Sequence, residues 1–157
     1  MPDPDRQKAF EGEFRRLIER HRPALLRELG VLMATPPPPN VRILSFVVFS
    51  RWNTFPVRVL AVDDTSTEEV YFDPPFSAAL LQDAGELISR GAIDQDAYED
   101  DGVQTFETGA RVLAEWFGKC WHEAGGGEFP LPAYIGHHDR AARFDLKAEK
   151  WITQSEI

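Results

Sequence analysis

One cysteine, Cys120, stands in 157 residues, so the chain can build no disulfide within itself. A reducing compartment is therefore permitted. No apolar run approaches the roughly 20 residues that a membrane-spanning helix needs. The first twenty residues, MPDPDRQKAFEGEFRRLIER, carry too much charge for a secretory leader. A cytoplasmic protein is the expectation. Basic residues are also short: 17 Lys and Arg stand against 26 Asp and Glu, a net charge of −9. Such a field repels nucleic acid and anionic lipid and speeds encounter with basic partners. Sequence signatures of common enzymes are missing as well. There is no GxxxxGK[ST], no GxSxG, no HExxH and no paired CxxC or HxxxH.

What is present reads as one α+β domain, 1–157, whose hydrophobic fraction of 43% is enough for a real core. Residues 1–34 form a helical N-terminal segment. Phe10, Phe14, Leu17, Ile18 and His21 recur at helical spacing, and Pro23 should break that helix. A second, short helix then follows, burying Leu25, Leu26 and Leu29 and ending at Gly30. TPPPPN, residues 35–40, is a stiff polyproline spacer.

The stretch from Val41 to Asp64 gives two strands. In the first, Val41, Ile43, Ser45, Val47 and Phe49 face one way and Leu44, Phe46 and Val48 the other. Apolar residues on both faces predict a central strand or a bend. A turn at WNT, residues 52–54, leads to a second strand through Val57, Val59 and Ala61. VYFDPP supplies a third, and short connections predict an antiparallel meander. Ser77 is expected to cap a helix carrying Leu80, Leu81, Ala84, Leu87 and Ile88 and ending near Gly91. DQDAYEDDG is read as an acidic connection. From Val103 to Glu123 runs the longest helix, with Phe106, Ala110, Leu113, Phe117 and Cys120 as its core stripe and Trp116 and Trp121 beside it. The glycines of AGGG, 124–127, end it, since a phosphate cradle needs them before a helix. AYIGHHD, RFDL and KWI complete the fold as short hairpin strands. The expected architecture is thus an antiparallel sheet packed with N-terminal, middle and long helices.

Three groups of residues bear on function. GHHDR ends a strand. His137 and Asp139 have the i, i+2 spacing that can place two metal ligands on one face, whereas strand alternation sends His138 to the other. A third ligand would then come from His122 or Cys120. A site here would make the chain a small metal-dependent enzyme or hydrolase. The plainer expectation gives Asp139 a turn-capping role and leaves the histidines at a half-exposed strand end, with no metal or cofactor. Cys120 and His122 point away from each other on a helix, which argues against an activated thiolate. The third group is acidic: Asp63, Asp64, Glu68 and Glu69, then Asp94, Asp96, Glu99, Asp100 and Asp101. The second run has Glu99 where a calcium loop of the EF-hand type needs glycine. Together with Tyr71 and Tyr98, these carboxylates are the expected docking surface for a protein with a basic groove.

FETGARVLAEWFGKCWHEAGGG, followed by PAYIGHHD and FDLKAEKWI, resembles in style the C-terminal half of small acidic bacterial immunity proteins. The likeness covers about a third of the chain and carries no diagnostic motif. It implies an inhibitor that occludes the active site of a toxin, and it transfers no functional residues.

Overall fold

The structure is a computed structural model that describes residues 3–49, 55–63, 69–70, 76–81, 87–89 and 91–153. Helix α1 (Pro4–Glu19) starts where the Asp3 carboxylate accepts the Asp5 amide at 2.9 Å. Proline is tolerated at Pro4 because a first-turn amide has no partner within the helix. Its stripe of Phe10, Phe14 and Ile18 is fully buried. Helix α2 (Arg22–Ala34) begins across Pro23, as the break in the pattern requires. It does not stop at Gly30. That glycine lies on the outward face with open space around it, and burial of Leu32, one turn beyond Leu29, holds the helix together. Termination falls to Thr35, whose hydroxyl donates to the Val31 carbonyl, ahead of the proline run.

Strands β1 (Val41–Val48), β2 (Val57–Asp63), β3 (Glu69–Val70), β4 (Ser77–Ala79), β5 (Ala133–His137), β6 (Ala142–Asp145) and β7 (Lys150–Thr153) form one seven-stranded sheet. The order is β3-β2-β1-β5-β6-β7, with β4 also paired to β2. β1 is central, as its two apolar faces indicate. Leu44, Phe46 and Val48 are fully buried on one side, and Ile43 and Val47 are nearly so on the other. β1 and β2 pair antiparallel as expected, β3 adds to β2 in the same sense, and β5, β6 and β7 make the C-terminal hairpins; of the expected third strand VYFDPP only Val70 lies among the described residues. The WNT turn lies outside the described residues.

Three sequence expectations fail, each for a tertiary reason. The sheet is not antiparallel throughout, because β5 lies parallel to β1, pairing Leu44 with Ala133 and Val48 with His137. The chain reaches β5 through helices, and a helical crossover delivers a strand in the same direction as the one it left. The helix expected from Ser77 is absent at its start. Ser77–Ala79 pairs instead with Leu60, Val59 and Arg58 of β2. The Glu28 carboxylate then holds the Leu81 amide, where the chain turns at φ 57°. Edge pairing outweighs helical periodicity here. DQDAYEDDG is not a connection but contains helix α3 (Gln95–Asp100), capped when the Asp94 carboxylate accepts the Ala97 amide.

Helix α4 (Thr105–Glu123) forms the core. One side meets the sheet, where Phe46 stands 4.8 Å from Phe117 and 5.6 Å from Trp121 between ring centres. Its other side meets α1, where Val112 and Trp116 are buried. Two close approaches need glycine: a Cβ at Gly109 would lie 2.7 Å from the Phe55 ring, and one at Gly118 would lie 2.8 Å from Phe144. The Trp116 indole donates to Glu19, and Arg111 pairs with Glu11, which ties α4 to α1 at its margins. Phe106, read as part of the stripe, is 39% exposed at its N-terminal rim. Beyond the helix, Gly125 takes φ 100° and reverses the chain toward β5.

Phe46→Ala is expected to remove about 3–5 kcal/mol of stability, the usual cost of deleting a packed phenylalanine. Urea unfolding of the variant checks this. A loss below about 1 kcal/mol would show that the β1–α4 contact is not the principal one.

Candidate functional site

β5 points Ala133, Ile135 and His137 at the helices and Gly136 at the opposite face. The strand ends at His137, and His138 and Asp139 form a turn. Alternation governs residues only while they remain in the strand. The His138 amide still donates to the Val48 carbonyl at 2.9 Å, but its side chain is no longer bound to the far face. The ring centres of His137 and His138 lie 4.6 Å apart. Asp139 folds back so that its carboxylate meets Nδ1 of His137. One ligand atom from each of His137, His138 and Asp139 lies within 4.8 Å of the others. The expected divergence of the two imidazoles is therefore corrected, and so is the capping role of Asp139. The third member of the group is His138, not His122 or Cys120.

The three differ in freedom. His137 is buried, while His138 and Asp139 are exposed. The His138 ring lies against Phe49, with centres 5.1 Å apart and planes 25° from parallel. Beneath the turn, Nη1 of Arg143 donates to the carbonyls of Arg140 at 2.5 Å, Ala142 at 3.0 Å and His137 at 3.4 Å. Gly136 admits this side chain, since a Cβ there would lie 2.6 Å from Cδ of Arg143. Burial draws the His137 pKa below the ordinary imidazole value, and the neighbouring Asp139 carboxylate opposes that shift. Beside His137 opens a hollow of about 300 Å³, lined by Glu107, Ala110, Arg140, Ala142 and Trp151 among others.

The other candidates are engaged elsewhere. Nε2 of His122 lies 2.8 Å from the Leu146 carbonyl and 3.8 Å from Glu149. His21 is bound in the same manner by the Leu87 carbonyl. Cys120 is fully buried, and desolvation pushes its thiol up to about 11. It is a core residue, and the divergence of Cys120 from His122 stands.

The acidic residues expected to dock a partner divide, around α3, into exposed and engaged ones. Asp94, Asp96, Glu99 and Asp100 are exposed on and beside α3, with Glu99 accepting the Thr105 hydroxyl at 2.6 Å. Asp101 is paired with Arg6. Tyr98 is not part of that surface. It is 7% exposed, donates to Glu13 at 2.7 Å, and lies under the Arg6 guanidinium. Asp63 and Glu69 occupy backbone positions in β2 and β3, and Asp64, Glu68 and Tyr71 lie outside the described residues. Sequence reasoning missed Arg143, Phe49 and the hollow, which depend on register between strands distant in the chain.

A thiol that stays protonated to higher pH in the fold than in the open chain stabilises the fold below about pH 9, and that stability is lost as the pH rises from about 9 toward 11. Wild type is accordingly expected to lose stability relative to Cys120→Ala over that interval, by at most about 1.4 kcal/mol per pH unit. The native thiol should also resist a disulfide reagent at pH 8 and react at once in denaturant. Rapid native labelling would refute its burial. Compared with protein-family models, with curated proteins and with solved structures, the chain matches none.

Proposed function

We propose that this chain is a binding protein that neutralises a protein with a basic surface, in the manner of an immunity protein occluding a toxin in the bacterial cytoplasm. The observation that carries this reading is α3. It presents Asp94, Asp96, Glu99 and Asp100 to solvent from a short helix whose inner side is fixed by Tyr98. A rigid array of carboxylates loses little freedom on docking, and a net charge of −9 steers a basic partner toward it. The fates of the reactive side chains fit the same reading. Cys120 is sealed in the core, and His21 and His122 are bound to main-chain carbonyls. No helix among the described residues is long and apolar enough to cross a membrane.

The immobilised chain should retain a stoichiometric basic partner from native lysate, and release it as salt rises. The triple variant Asp94→Asn, Asp96→Asn, Asp100→Asn keeps the helix cap and removes three charges. It should slow association with the purified partner on the order of tenfold or more at low salt. Unchanged association kinetics with an intact fold would reject α3 as the docking element.

A further inference from the structure

We infer that His137, His138 and Asp139 form a binding site for a divalent transition-metal ion of the zinc, cobalt and nickel kind. This goes beyond the docking role of α3 and rests on other residues.

The ligand atoms already lie within 4.8 Å of one another. An ion held at about 2.0–2.2 Å by each ligand needs those atoms about 3–4 Å apart. The remaining adjustment falls to the exposed side chains of His138 and Asp139, while His137 is held by its burial. The main chain under the ligands is fixed. Arg143 holds three carbonyls of the turn, the His138 amide is bound to β1, and the Arg140 amide donates to the His137 carbonyl at 3.2 Å. Ligands carried on a braced turn at a strand end lose little freedom when they close on an ion.

Chemistry selects the ion. Two imidazoles and one carboxylate suit zinc, cobalt and nickel, whereas calcium and magnesium require sets made almost wholly of oxygen. Three protein ligands also leave coordination positions for water or for an outside group. Phe49 backs the His138 ring, and Arg140, which follows the triad, is drawn off toward Glu107 at 3.5 Å. A cation placed among the three donors is therefore not set directly against that guanidinium.

The test uses the untagged full-length chain, titrated calorimetrically with zinc, nickel and cobalt chlorides and, separately, with magnesium and calcium chlorides. The expected result is one transition-metal ion per chain and no saturable magnesium or calcium binding. Zinc should shift the ring resonances of His137 and His138 and leave those of His21 and His122 in place. His138→Ala and Asp139→Ala, both exposed changes that leave the core intact, should each weaken zinc binding about tenfold or more with an unchanged melting temperature. Absence of binding would overturn the site. So would affinity that survives the His138→Ala, Asp139→Ala double change, or shifts confined to His21 and His122.

Discussion

The fold depends on α4 being covered from two sides. A helix with one apolar stripe needs one neighbour, but α4 buries Phe117 and Trp121 against Phe46 of the sheet and Val112 and Trp116 on the side of α1. Only a second layer of helix satisfies both, and α1 supplies it with Phe10, Phe14 and Ile18. The consequence reaches the C-terminus. Because α4 crosses the sheet, the chain re-enters beside β1 in the parallel sense, and the register of β5 sets His137 opposite Val48. The His137–Asp139 turn is placed by the packing of a helix whose last residue is fourteen positions earlier.

This explains what could be read from sequence. Local features were legible: the break at Pro23, the meander of β1 and β2, the central position of β1, and the limits of α4 to within two residues. Features set by distant pairing were not. Ser77 carries a good cap followed by helical spacing, yet Ala78 sits opposite Val59 on an open edge of β2. Gly30 looks like a terminator when Leu32 is not known to be buried. Tyr98 lies among five acidic residues and reads as surface, but Glu13 and Arg6 from α1 draw it inward. In each case a long-range contact outweighs a local preference of about 1 kcal/mol.

The candidate site shows the same division. Alternation along a strand predicts that adjacent histidines separate, and the rule is sound within β5, where Ile135 and Gly136 do face opposite ways. It fails at the strand end, because the turn begins with the second histidine. The location of that end is decided across the sheet, by the Arg143 side chain on β6 and the glycine that makes room for it. Residue types announced the chemistry of GHHD, and the hairpin geometry decided whether its groups meet.

Both surfaces given a role here adjoin α4 near its start. Glu107 and Arg111 line the hollow beside His137 and also a second hollow of about 260 Å³ that reaches Gly102 and Gln104, just past the end of α3. A partner that extends from α3 toward His137 would thus pass over Glu107 and Arg111. The two surfaces are chemically opposed: α3 attracts cationic side chains, whereas an ion held by the triad adds positive charge. Salt screens exposed charges over about 8–10 Å at physiological ionic strength, so the two act on one another most through a partner that spans both. A basic partner confined to α3 would then be little affected by metal, while one that also covers the hollow could supply the ion's open position from its own side chain. The arrangement therefore ties any dependence of docking on metal to how far the partner reaches along α4.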